Sequence, residues 1–225
     1  MMKINFEYEA DLVLAFINSY SRMAKEVVIK EMPIRYGNID VVSIKKTELP
    51  FTDEQILILS KPSNALLFTK VKNERPISKQ KIIESVGLSD STISGSLCDL
   101  MKYGLIIKKD NNYLRGSSFV FPKTTVTGYE AKLKDFNKAF YQAKSNKEYV
   151  DYSYLVFPME IAKRILKNKL HLLDLNGLGL IGVSNEKSIT LYKARKTKGV
   201  NNYMRLLNIA KANTMKTQQF QQMIG

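Results

Sequence analysis

The stretch that most constrains this chain lies in its middle. In SKQKIIESVGLSDSTISGSLCDLMKYGLI, residues 78–106, apolar residues recur at helical spacing on both sides of a short break at Val86-Gly87-Leu88. Two helices joined by so tight a turn must pack against each other, and Ser89 stands where the second needs an N-cap. Ile82, Ile83, Val86, Leu88, Ile93, Leu97 and Leu100 are the expected core. Leu105-Ile106-Ile107-Lys108-Lys109, the turn Asp110-Asn111-Asn112 and Tyr113-Leu114-Arg115 then predict a short β-ribbon. Helix, turn, helix and ribbon make a closed local unit, so the sequence on either side has to build something else.

In that order the elements are those of a winged helix-turn-helix domain, expected over residues 49–119 once the helix, Pro-Ser break and second apolar stretch of TDEQILILSKPSNALLF are included. The flanks have another rhythm. Residues 4–24 place Leu12, Val13, Phe16, Ile17 and Tyr20 at helical spacing. KEVVIKEM, bounded by Pro33, and Ile39 to Ile44 predict a strand hairpin around Tyr36-Gly37-Asn38. Beyond Pro122, TTVTGYEAKL, KDFNKAFYQAKSN and YSYLVFP predict a β-α-β crossover. MEIAKRILKNKLHLL predicts a helix, GLGLIGVS and SITLYKARK a terminal strand pair, and NNYMRLLNIAKANTM a closing helix. The tail TQQFQQMIG, poor in apolar residues, is expected to be disordered. Residues 1–48 and 120–225 should therefore form one discontinuous α/β (α+β) domain, a mixed sheet flanked by helices, with the winged helix inserted in it.

Composition narrows the partners. Thirty-five Lys and Arg against 21 Asp and Glu leave a formal charge of +14, which draws polyanions. Nucleic acid is the expected partner, DNA ahead of RNA. Solvation of a lysine-rich surface would also account for charge taken alone. No apolar run is long enough to cross a bilayer and the first residues lack a signal-peptide pattern, so no membrane partner and a cytoplasmic location are expected. The one cysteine, Cys98, reads as buried filler, and the one histidine, His171, as structural, which removes histidine triads and zinc sites from consideration. No glycine-rich phosphate loop is present, and Gly177-Leu178-Gly179 suits a turn entering a strand.

Asp40 stands inside an apolar strand, where an ionised carboxylate is costly unless it faces a polar cleft, a metal or a base. Glu130-Ala131-Lys132 lies on the strand after the middle unit, and alternation puts Glu130 and Lys132 on one face. If the two strands are neighbours, Asp40 and Glu130 can hold Mg2+ or Mn2+ through hard oxygens, and Lys132 can orient a water or help deprotonate it. The other reading makes these groups solvating charges at a sheet edge.

Gly37-Asn38-Ile39-Asp40-Val41-Val42 and Tyr129-Glu130-Ala131-Lys132 together resemble the Asp strand and the Glu-x-Lys strand of the PD-(D/E)XK nuclease superfamily, which includes many restriction enzymes, recombination exonucleases and Holliday-junction resolvases. The resemblance spans about residues 4–44 and 123–195. It implies a restriction-endonuclease-like fold and a divalent-metal-dependent DNA nuclease with Asp40 and Glu130 as metal ligands and Lys132 assisting the attacking water. Some members add a glutamate on the first helix and a glutamine on the crossover helix, which Glu9 and Gln142 match. Where some have Gln-x-x-x-Tyr, this chain has Asn146 in place of the aromatic residue. A DNA-binding regulator or adaptor on a nuclease-like scaffold without catalysis is the alternative, and a homodimer or a place in a larger nucleic-acid-processing complex suits either.

For the middle unit, the first turns of its second helix nominate Ser89, Asp90, Ser91, Thr92 and Ser94 for the major groove, flanked by Lys79 and Lys81. Lys102, Lys108, Lys109 and Arg115 are expected to reach phosphates. With no Arg, Gln or Asn on that face, strong base discrimination is not expected.

Overall fold

Changes of hydrophobic period along the chain become boundaries between elements. The computed structural model describes residues 6–20, 26–45, 47–198 and 200–224, with 217–224 as backbone only. First come α1 (Glu9–Ser19), β1 (Val27–Pro33) and β2 (Asn38–Lys45). Next are α2 (Asp53–Leu59), α3 (Pro62–Lys70), β3 (Ile77–Ser78), α4 (Lys79–Ser85), α5 (Asp90–Lys102), β4 (Ile106–Lys109) and β5 (Asn112–Arg115). Then follow β6 (Thr125–Ala131), α6 (Phe136–Asn146), β7 (Tyr152–Pro158), α7 (Met159–Asn176), β8 (Gly179–Val183), β9 (Ser188–Tyr192) and α8 (Asn202–Ile224). Of the opening helix expected over 4–24, residues 4, 5 and 21–24 lie outside the described residues.

These elements divide into two units, Met1–Lys46 with Thr124–Val200, and Thr47–Lys123 with Asn201–Gly225. The first is mixed α/β. Its six strands run β1-β2-β6-β7-β8-β9, with β6, β7 and β8 parallel and the other neighbours antiparallel. Both faces are covered, which is why YSYLVFP is almost continuously apolar. Tyr154 and Val156 pack with Leu12 and Phe16 of α1. Leu155 and Phe157, on the other face, pack with Ala139 and Ala143 of α6 and with Ala162, Ile165 and Leu173 of α7. Leu12 and Phe16 are wholly buried, and burying a side chain of that kind stabilises by roughly 1.5–3 kcal/mol.

The second unit holds the helix-turn-helix segment. Ser78 caps α4 by accepting from the Lys81 N–H at 3.3 Å, and Ser89 caps α5 by accepting from that of Thr92 at 3.2 Å. Ile82, Val86, Ile93, Leu97 and Leu100 are in its core, with Ile83 and Leu88 packed against it. β3, β5 and β4 form a three-stranded sheet in that order, and Asp110 turns the β4-β5 hairpin at φ 52°.

Three expectations are corrected. The closing helix, placed above with the flanking domain, belongs to the second unit, because Leu206 and Ala210 enter the core formed by α2, α3, α4 and α5, and Asn213 donates to the Thr47 carbonyl at 2.9 Å. The tail is helical through Ile224, since TQQFQQM holds good helix formers and neither Gly nor Pro. Cys98 is exposed: α5 buries Ile93, Leu97 and Leu100, and the next position after Leu97 is rotated by about 100° away from that face. His171 is exposed on α7. Among the described residues no helix is long and apolar enough to cross a membrane.

Candidate active site

The sheet comes apart locally around Asp40. The β1-β2 hairpin turns at Gly37, whose φ of 89° favours glycine, and Ile34 donates to the Gly37 carbonyl at 2.9 Å. Pairing then runs from Pro33↔Asn38 and Met32↔Ile39 to Lys30↔Val41, stepping over Glu31 and Asp40. Glu31 holds a left-handed backbone at φ 52°, a conformation that costs a non-glycine residue roughly 1–2 kcal/mol. On the other side, the β2-β6 ladder ends at Val41↔Tyr129. Just past that pair, Asp40 uses its carboxylate: Oδ2 accepts from the Ala131 N–H at 2.8 Å. A side chain thus replaces backbone as the partner of a strand N–H and is fixed at the mouth of the opening.

Lys132, immediately after β6, joins the acids. Its Nζ lies 3.2 Å from Glu9 Oε2 on α1, 3.4 Å from Asp40 Oδ2 and 3.3 Å from Glu130 Oε1, and it donates to the Ala131 carbonyl at 2.9 Å. Glu130 is wholly buried, and its Oε2 accepts from the Asn146 amide at 3.2 Å. Exposure therefore rises outward from Glu130 at 0% through Asp40 at 18% to Glu9 at 50%. A pocket of about 310 Å³ opens on the outer side, lined by Glu9, Asp40, Lys30, Glu31, Val13 and Leu14 among others.

Three carboxylates around one ammonium leave negative charge in excess. Burial, and then the nearby Asp40 charge, push the Glu130 carboxyl from 4.5 up to about 7, with Lys132 and Asn146 opposing. Burial alone would lower the Lys132 pKa, but Asp40, Glu130 and Glu9 outweigh it and hold the group above the ordinary lysine value. Lys132 is accordingly an ammonium at neutral pH. As placed, it donates, an arrangement that favours orienting a water over deprotonating one, the two roles expected of it.

The donor set suits a divalent cation. Asp40 and Glu130 offer hard oxygens, Glu130 Oε1 is buried with an ion pair to Lys132 but no hydrogen bond, and the negative charge is under-compensated. Among the described residues no three His, Cys, Asp or Glu side chains are arranged to hold a metal ion. Of the side chains that meet here, Asp40 and Glu130 are the pair that could hold such an ion.

Asp40, Glu130, Lys132 and Glu9 meet, then, and Gln142 does not join them. Its Oε1 is buried on α6 with no hydrogen-bond partner among the described residues, and Asn146, one helical turn later, is the residue that reaches Glu130. The sequence signal for Asn146 is its i+4 spacing from Gln142, which puts both on one side of α6.

In the second unit, Ser89, Ser91, Thr92 and Ser94 stand on the first turns of α5, bonded mostly to one another. Ser89 Oγ lies 3.0 Å from Ser91 Oγ and 2.8 Å from Thr92 Oγ1, and Ser94 donates to Asp90 at 3.4 Å. Lys79 pairs with Asp90 at 2.9 Å, which spends its charge locally. Lys81, Lys102, Lys108 and Lys109 are exposed. Arg115 is not: 6% exposed, it faces inward among phenylalanines, because at the end of β5 its side chain falls on the covered face of the ribbon. It is corrected from an exposed phosphate contact to a buried group.

No family model matches the chain, and no curated protein matches it in sequence. A solved structure of a protein of unknown function from Silicibacter pomeroyi is similar at a TM-score of 0.44 with 12% identity, over 98% of this chain and 92% of that one.

Proposed function

We propose that the chain is a divalent-metal-dependent nuclease acting on DNA, a restriction-endonuclease-like domain of the PD-(D/E)XK type carrying an inserted winged helix that holds the substrate. One observation carries the reading: Glu9, Asp40 and Glu130, far apart in sequence and on three elements, meet at the single ammonium of Lys132. Solvating charges at a sheet edge have no reason to converge, and none would be wholly buried as Glu130 is.

In this reading Asp40 and Glu130 hold Mg2+ or Mn2+, which supplies Lewis-acid activation of water and charge neutralisation at the phosphate. Asp40 is kept in place by the Ala131 N–H and Glu130 by Asn146. Lys132, protonated, offers N–H groups to a water or a phosphate oxygen and stabilises negative charge as it develops. Glu9 faces the pocket and holds the ammonium on that side. The winged helix would contribute Lys81, Lys102, Lys108 and Lys109 as backbone contacts, with little sequence choice from its serine-rich face.

A non-catalytic DNA-binding regulator is the second reading, favoured by the fact that Gln142 does not join the carboxylates that meet at Lys132. Incubation of the protein with linear, nicked, branched and single-stranded DNA in Mg2+ or Mn2+ separates the two. The nuclease cuts at least one substrate, and Asp40→Ala and Lys132→Ala each lower the rate by a factor on the order of a hundred or more. Binding with a steep salt dependence and no cutting of any substrate would hand the case to the regulator.

A further inference from the structure

The second unit contains a buried cation with no ion-paired carboxylate among the described residues. The Arg115 guanidinium lies over the rings of Phe68, Phe121 and Phe119, at 4.9, 5.1 and 5.5 Å from their centroids. Nη1 donates to Asn73 Oδ1 at 3.0 Å and to the Phe119 carbonyl at 3.1 Å, while Nη2 has only a long contact of 3.5 Å to the Phe68 carbonyl. Nε is buried with no hydrogen-bond partner, and among the described residues no carboxylate forms an ion pair with Arg115. Ring faces and neutral acceptors offset part of the cost of burying the charge and leave it unneutralised.

A pocket opens onto this group. About 410 Å³ in volume, it is lined by Lys72, Asn73, Glu74, Arg75 and Arg115. Three of the five are cations and one is an acid. Lys72, Glu74 and Arg75 are exposed and form the mouth. Asn73 makes the back wall rigid: its Oδ1 accepts from Arg115 and from the Phe119 N–H at 3.2 Å, and its Nδ2 donates to the Phe119 carbonyl at 3.2 Å. A guanidinium held by Asn73 and Phe119, with its Nε unpartnered, behind two exposed cations is the arrangement that takes an oxyanion, and arginine's planar fork matches phosphate oxygens.

We infer that the pocket of Lys72, Arg75 and Arg115 is a phosphate-binding site, filled by a phosphate group that supplies the missing counter-charge to Arg115. The phosphate comes either from a nucleic-acid backbone or from a free phosphate or nucleotide. The site lies within the second unit and does not depend on whether the first unit cuts DNA.

The test follows the Arg115 Nε–H and the amides of residues 72–75 by NMR in the full chain, during titration with inorganic phosphate, with adenosine monophosphate and with a short DNA duplex. At least one probe is expected to shift these signals saturably. A Lys72→Ala/Arg75→Ala double variant, altered only at exposed positions, should bind that probe about tenfold more weakly or worse. Saturation by phosphate or the mononucleotide and not by the duplex identifies a free ligand, and the reverse identifies the backbone. If no probe moves the Arg115 signal, or the double variant binds as well as the unaltered chain, the site does not exist. The Arg115 readout keeps the result distinct from adsorption elsewhere on a chain of charge +14.

Discussion

Among the described residues each unit buries one Lys or Arg side chain, and the two are treated in opposite ways. Lys132 sits among Glu9, Asp40 and Glu130, with more negative charge around it than it can neutralise. Arg115 sits among three phenylalanine rings and neutral acceptors, with no carboxylate ion-paired to it among the described residues. Desolvation is costly in both places, so what differs is the sign of the charge left over. The first surroundings are too negative and favour a further cation; the second are too positive and favour an anion. Opposite imbalances suit the metal-dependent chemistry proposed for one unit and the phosphate recognition inferred for the other.

Removing Lys132 should expose that imbalance most strongly. Lys132→Met fills similar space but leaves three carboxylates facing one another, and breaking a buried pair of this kind costs roughly 3–5 kcal/mol. The loss depends on pH, because Glu130, already raised to about 7, can relieve the repulsion by taking a proton. Urea unfolding of the variant should show the large loss at about pH 8 and a smaller one at about pH 5. A pH-independent loss would mean that Lys132 acts by packing alone.

Glu130→Gln probes the acids instead. A carboxyl whose folded-state pKa stands above its ordinary 4.5 binds its proton more tightly in the folded chain. Its contribution to stability is complete below about pH 4.5, declines as the pH rises and is gone above about 7, a change of roughly 3 kcal/mol. Glutamine does not titrate, so between about pH 5 and 8 the unaltered chain should lose stability relative to Glu130→Gln. Parallel profiles would remove the charge crowding on which the metal argument depends. If Mg2+ binds here, calorimetry near pH 6 in buffers of different ionisation enthalpy should detect a proton released by the unaltered chain and none by the variant.

Much of this contrast was legible in the sequence on one side and not on the other. Asp40 announced itself as an acid inside an apolar strand, and the period-2 pattern put Glu130 and Lys132 on one face. Local patterning also placed the Ser89 cap and the succession of the main strands along the chain. It could not show that Asp40 would take over the Ala131 N–H, or that Glu31 would adopt a left-handed backbone beside it, because both depend on how two ladders end against a third strand. Arg115 misled for a related reason. A basic residue on a ribbon reads as exposed, and only Phe68, Phe119 and Phe121, brought in from a helix and a loop, turn it inward. The closing helix misled likewise, since its apolar stripe is the same whichever unit it packs with.

Replacing Arg115 should have the smallest effect of the three, and the reason is what it leaves behind. In Arg115→Met the Asn73 Oδ1 still accepts from the Phe119 N–H and the Phe119 carbonyl still accepts from Asn73 Nδ2, so neither acceptor is orphaned. No carboxylate loses a partner, and the cost of burying a guanidinium disappears. What is lost is the cation-ring attraction, about 0.5–2 kcal/mol for such contacts, together with some packing around a thinner side chain. We expect a net loss of roughly 1–2 kcal/mol, flat between about pH 5 and 8, since among the described residues no carboxylate is ion-paired with Arg115 and Glu74 stands at the exposed mouth of the pocket. Added phosphate should stabilise the unaltered chain against urea and not the variant, because ligand that binds only the folded state raises its stability in proportion to occupancy. An Arg115→Met loss as large as that of Lys132→Met, or one that varies with pH, would show an acid ion-paired with Arg115 and end the contrast between the two cations.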